Sequence, residues 1–95
     1  MALKTTPWDA ADRLTSAESI AAYLDAAFED GDPDLIRAAL GDVARAKGMT
    51  EIAEATGLSR TSLYKALSQD GNPEFTTVVK VLQSLGFRIG IQRAA

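Results

Sequence analysis

The stretch Met49 to Ser68, MTEIAEATGLSRTSLYKALS, constrains the fold of this chain more than any other. It reads as two short helices joined by a tight turn. Ile52 and Ala53 fall in the first helix, Gly57 and Leu58 in the turn, and Leu63 and Ala66 in the second. A small residue early in the first helix lets the second cross it closely. A glycine at the turn accepts a positive φ without steric penalty.

The flanks supply helices. Thr15-Ser16-Ala17-Glu18 matches a capping box, with Thr15 as N-cap and Glu18 three residues on. Ile20, Tyr23, Leu24, Ala27 and Phe28 follow at helical spacing, which predicts a helix over 16–29 that stops at Gly31. Asp32-Pro33 starts the next, with Asp as N-cap and Pro at the first helical position. Its apolar stripe is Leu35, Ile36, Ala39, Leu40, Val43 and Ala44, and Gly48 stops it. Thr50 is placed to cap a third helix over 51–56, and Ser59 a fourth over 60–68. Gln69-Asp70-Gly71-Asn72-Pro73 is dense in turn formers and reads as a loop. Phe75, Val78, Val79, Leu82 and Leu85 form the stripe of a fifth helix, with Gly86 as its stop.

At Phe87 the period changes from 3.6 to 2. Phe87, Ile89 and Ile91 point one way and Arg88, Gly90 and Gln92 the other, which predicts a strand over 87–92. A lone strand leaves its backbone groups unpaired. Pairing with the same strand of a second copy solves this, so Phe87, Ile89 and Ile91 read as dimerisation residues of a homodimer. In the alternative, the segment is a tail whose apolar side chains cap the core. Residues 1–8 carry no periodicity and read as an extended arm, while Asp9 is placed to cap a short turn through Leu14. Trp8 either packs on the domain or anchors a partner. The expected fold class is therefore mostly α: one domain of five helices containing a helix-turn-helix, plus one short C-terminal strand.

In the helix-turn-helix arrangement the second helix enters the DNA major groove. Each residue advances about 100° around a helix. With Leu63 set toward the core, Ala66 and Leu67 fall on the same side, whereas Thr61, Lys65 and Ser68 point nearly opposite and Ser62 and Tyr64 lie on the flanks. Hydroxyls can bond base edges there, and Lys65 can reach guanine acceptors or a phosphate. Ser59 and Arg60 occupy the N-terminal end, where free N–H groups and the helix dipole favour a phosphate. Arg60 either holds a phosphate or reads a guanine, and Tyr64 either touches the DNA backbone or lies against a neighbouring helix. Thr50 and Asn72 are further phosphate candidates. The expected DNA-binding set is Thr50, Ser59, Arg60, Thr61, Ser62, Tyr64, Lys65 and Asn72.

Composition narrows the function classes. The 95 residues contain no cysteine and no histidine, which removes the thiolate nucleophile, the usual general base near neutral pH and the usual transition-metal ligands. No catalytic residues, metal site or cofactor are expected, and an enzyme is the least favoured class. No apolar run approaches the roughly 18 residues needed to span a bilayer, and the N-terminus lacks a secretory apolar core, so a cytoplasmic location is the default. The net charge of −3 is unevenly spread. Residues 1–48 hold nine acidic and five basic side chains, and residues 49–95 hold four acidic and five basic. The weakly basic second half suits DNA binding as a dimer. The acidic first half suits a basic protein partner or serves as a solvated face.

Several runs carry a resemblance beyond the motif. They are AAYLDAAFEDGDPDLI (Ala21 to Ile36), ALGDVARAKGMT (Ala39 to Thr50), GLSRTSLYKALS (Gly57 to Ser68), Gly71-Asn72-Pro73 and VLQSLGF (Val81 to Phe87). Together they resemble bacterial addiction-module antidote proteins, the host-inhibition-type antitoxins that pair with small RelE/ParE-like toxins. The likeness covers about residues 7–92. It implies a dual role: neutralising a cognate toxin by direct binding, and repressing the shared operon by binding operator DNA. Thr56 departs from the pattern, since many helix-turn-helix proteins carry an apolar residue there, and Ala66 is smaller than the usual branched side chain. The division that follows is 1–48 for toxin contact, 49–86 for DNA and 87–92 for dimerisation. A prophage-type repressor without a toxin partner would share the DNA-binding half. A module whose helix-turn-helix binds only protein would not shift promoter DNA.

Overall fold

The computed structural model describes residues 14–94. The extended arm, Trp8 and the turn capped by Asp9 lie outside the described residues. The described residues form five helices in order: α1 (Ala17–Asp30), α2 (Pro33–Lys47), α3 (Met49–Thr56), α4 (Arg60–Ala66) and α5 (Phe75–Ser84). α1 packs on α2, and α3 sits at the centre, touching α2, α4 and α5. The largest fully buried side chains are Leu40, Val43, Ile52, Leu63 and Val81, contributed by α2, α3, α4 and α5. The core is thus the shared interior of four short helices, with α1 adding Ile20, Leu24 and Ala27 from one side.

Local chemistry explains most boundaries. Gly31 closes α1 at φ 86°, its N–H bonded to the Ala27 carbonyl. The Asp32 side chain accepts from the Asp34 N–H, with Pro33 at the first helical position of α2. Three boundaries differ from expectation. The capping box of α1 lies one residue later than Thr15/Glu18. Ser16 is the N-cap and accepts from the Ser19 N–H at 3.0 Å, while Ser19 Oγ accepts from the Ser16 N–H at 3.2 Å. A serine three residues on satisfies the same pair of free donors as a glutamate does.

Thr50 does not cap α3. Gly48, at φ 113°, is both the C-cap of α2 and the N-cap of α3, so the chain turns on a single residue. That conformation is open to glycine and costly for any other residue. It brings Met49 into the core and leaves Thr50 exposed inside the first turn of α3. The third difference is at α4, which stops at Ala66 rather than Ser68. Ser68 Oγ donates to the Lys65 carbonyl, and Arg37 reaches across from α2 to donate to the Ser68 carbonyl at 2.8 Å.

The strand expected over 87–92 does not form. There is no strand among the described residues, and residues 87–94 carry no regular structure. A single chain offers this segment no ladder partner, and its first residue is used otherwise. The Phe87 N–H bonds to the Leu82 carbonyl and the Gly86 N–H to the Gln83 carbonyl, with Gly86 at φ 87°. This is the bonding of a Schellman helix end, and it turns Phe87 back to pack against the core. Beyond it the alternation has nothing to bury against, and Ile91 is 98% exposed. Phe75 also leaves its expected place: at the first position of α5 it is 72% exposed, while Val81, outside the expected stripe, is fully buried.

Candidate nucleic-acid interface

The candidate surface begins at the turn between α3 and α4. Gly57 takes φ 77° and bonds back to the Ala53 carbonyl. Thr56, the polar residue at an ordinarily apolar position, fits because its hydroxyl is used twice. It donates to the Ile52 carbonyl at 2.8 Å and accepts from the Leu58 N–H at 3.3 Å. A half-buried hydroxyl satisfied in this way carries little of the desolvation cost of an unpaired one.

α4 is a seven-residue helix fixed at both ends and along one side. Ser59 caps it, its Oγ accepting from the Ser62 N–H at 3.0 Å. Leu63 is fully buried within it, and Leu67 is buried just past its end. The C-terminal end is held by Arg37 through Ser68 and by the close approach of Gly71. A methyl group at Gly71 would run into the Ala66 and Lys65 carbonyls. Gly41 on α2 is buried, and a methyl group there would stand 3.2 Å from the Leu67 carbonyl, so α2 and the end of α4 also meet closely.

This anchoring turns Arg60, Thr61, Tyr64, Lys65 and Ser68 outward, all of them exposed. The Arg60 guanidinium lies 5.8 Å from the centre of the Tyr64 ring, within the range of a cation–π contact. Neither Arg60 nor Lys65 forms an ion pair among the described residues, where Arg45–Asp42 is the one bridge. Ser59 and Ser62 are exposed but engaged with each other, the Ser59 hydroxyl donating to Ser62 Oγ at 2.8 Å. The cap therefore already occupies one bonding direction of each hydroxyl. Thr50 is exposed on the first turn of α3. Asn72 is exposed at the mouth of a cleft of about 210 Å³ that it shares with Pro33, Asp34 and Arg37, so it faces the start of α2. Of the three residues expected at a dimer contact, Phe87 is half-buried against its own core, and Ile89 and Ile91 are exposed.

The residues that sequence reasoning missed are positional. Gly41, Gly71 and Arg37 set where α4 ends and how it sits on α2. Gly71 lay within the turn-forming run, but its clash depends on carbonyls five and six residues away along the chain. A second polar group lies beside Gly41, where an added Cβ would stand 3.3 Å from an Arg45 guanidinium nitrogen. The Tyr23 hydroxyl donates to Asp42 Oδ2 at 2.6 Å, and Arg45 donates to Asp42 Oδ1 at 2.8 Å. Burial first, and then the hydrogen bond to Asp42, push the Tyr23 hydroxyl from 10 up to about 12. This network ties α1 to α2. No helix among the described residues is long and apolar enough to cross a membrane.

Comparison with known proteins places the chain. The family described as "Probable addiction module antidote protein" matches residues 4–93. An uncharacterized protein of Haemophilus influenzae is 46% identical over 87 residues, covering 92% of this chain and 90% of that protein. No solved structure matches. The chain belongs to the family of probable addiction module antidote proteins, whose role implies a toxin partner.

Proposed function

We propose that this chain is the DNA-binding antitoxin of a type II toxin–antitoxin pair: it neutralises a small RelE/ParE-like toxin by direct binding and represses its own operon. It has no enzymatic role and acts in the cytoplasm. The observation that carries the DNA-binding half is the outward face of α4. Leu63 and Leu67 are buried while Arg60, Thr61, Tyr64 and Lys65 are exposed on a helix fixed at both ends. A rigid helix with two cations and hydroxyls on its free side has the donor set that base edges and phosphates require. Arg60 and Lys65 are the principal contacts, with Thr61 and Tyr64 beside them. Thr50 on α3 and Asn72 in the following loop reach phosphates, and Ser59 and Ser62 contribute through the helix start.

Two copies act together. The second half of the chain carries only one more basic than acidic side chain, so one copy holds DNA weakly. Ile89 and Ile91 are exposed without a partner, and a contact between copies through these two side chains would cover them and bring two α4 helices to one operator. The acidic first half, 1–48, is the toxin-facing part. The antitoxin reading rests on the family, and the RelE/ParE-like class of toxin on the resemblance of the motif-bearing runs.

Co-expression with the product of the neighbouring reading frame tests both roles. The expected result is a complex that survives purification, relief of that product's growth inhibition, and a shift of the promoter fragment by the complex. A promoter shift with no bound partner and no relief would instead identify a prophage-type repressor. Relief with no promoter shift would remove the DNA-binding role.

A further inference from the structure

The α1–α2 hairpin ends in a surface that the fold does not use. Phe28, in the last turn of α1, is 37% exposed, and Leu35, in the first turn of α2, is 43% exposed. One turn further along their helices, Leu24 and Ala39 are buried. The apolar stripe of each helix therefore continues beyond the point at which the domain covers it. Around these two side chains stand Asp25, Glu29, Asp30, Asp32 and Asp34, all exposed, with no lysine or arginine between residues 25 and 35. None of the five carboxylates has a cation within ion-pair distance among the described residues. Asp30 and Asp32 accept backbone N–H groups of the turn itself, whereas the carboxylates of Asp25, Glu29 and Asp34 make no hydrogen bond among the described residues. The backbone of the turn is already set, with Gly31 left-handed and Pro33 opening α2, so docking requires little new backbone ordering there.

We propose that this end of the hairpin is the docking surface for the toxin, and that it receives a cationic patch with an apolar centre. The proposal rests on the antitoxin reading above. Phe28 and Leu35 form the apolar anchor, and the ring of carboxylates steers and orients the basic partner. Charge favours this occupant. The exposed apolar side chains Ile89 and Ile91 have Arg88 and Arg93 as their neighbours along the chain, whereas no cation falls between residues 25 and 35.

The test uses the full chain co-expressed with the polypeptide product of the neighbouring reading frame. Phe28→Ser with Leu35→Ser is expected to weaken capture at least about tenfold, as loss of interface anchors does. Asp25→Asn with Glu29→Gln is expected to slow association several-fold at low salt, with the difference shrinking at high salt. The carboxylate pair is exposed and should melt as the wild type does, whereas the serine pair removes side chains still more than half covered and should melt somewhat lower, so its capture is measured at a temperature where circular dichroism shows it folded, which separates docking from folding. Capture at wild-type strength by both variants overturns the assignment. So does a change in self-association by light scattering with capture unchanged, which would mark a contact between copies of this chain. If the wild-type chain itself captures nothing, the antitoxin reading fails and this surface fails with it.

Discussion

Leu63→Ala probes the attachment of the candidate recognition helix. α4 has seven residues, well short of the roughly 12–15 that a helix needs to persist alone in water. Its stability comes from docking, and Leu63 is its one fully buried side chain. Removing the leucine side chain forfeits its transfer free energy and leaves a void in the core that it shares with the other fully buried side chains, Leu40, Val43, Ile52 and Val81 among them. Substitutions of this kind cost about 2–5 kcal/mol. With a urea dependence near 1 kcal/mol per molar for a domain this small, the unfolding midpoint should fall by about 2–5 M. Equilibrium unfolding followed by far-ultraviolet circular dichroism measures it. Leu35→Ala, at a half-exposed position, is the control and should shift stability by no more than about 0.5 kcal/mol. A midpoint loss for Leu63→Ala under about 1 M, or equal to the control, would refute the view that α4 is held by this contact.

Other perturbations follow from the same packing. Gly71→Ala should destabilise by about 1–3 kcal/mol or more in the same urea assay, because its methyl meets backbone carbonyls that cannot step aside, while Gly90→Ala, with open space around it, should be neutral. In a Tyr64→Phe background, tyrosinate absorbance should report Tyr23 titrating near 12, and Asp42→Asn should move that titration down toward 10 without reaching it, since burial remains. A hydroxyl held protonated in the folded state contributes stability that is complete below pH 10 and is lost as pH rises from 10 to about 12, so alkaline unfolding should begin in that window and shift with Asp42→Asn. Ile91→Lys should leave the melting temperature unchanged and convert the proposed dimer to a monomer by light scattering; a persistent dimer removes the C-terminal segment from the contact.

What the sequence made legible is what short-range chemistry decides. Asp32-Pro33 begins a helix because the cap and the fixed φ act within three residues. Ser59, Gly31, Gly57 and Gly86 mark their ends for the same reason. The outward face of α4 was also legible, since helical geometry alone sets Arg60, Thr61 and Lys65 opposite Leu63. What was not legible depends on distant groups. Gly48 could be read as a stop, but its second role as the start of α3 depends on Met49 finding a place in the core. Val81 rather than Phe75 is buried because of where α3 lies against α5, which periodicity within α5 does not reveal. The alternation after Gly86 carries a strand pattern, yet a strand exists only with a neighbour, and Phe87 is turned back by the helix end before it. Arg37 holds the end of α4 from 31 positions away, a contact with no local signal.

The most direct test of the central claim is the salt dependence of binding to the chain's own promoter DNA, measured by fluorescence anisotropy for the wild type and for Arg60→Ala with Lys65→Ala. The wild type should weaken steeply with salt. The double variant should bind more weakly at every salt concentration, with the slope of log K against log salt shallower by up to about 2 if both cations meet phosphates, and by about 1 if Arg60 reads a base instead. An unchanged affinity and slope in a variant that remains folded would contradict the assignment of α4 as the DNA-reading helix.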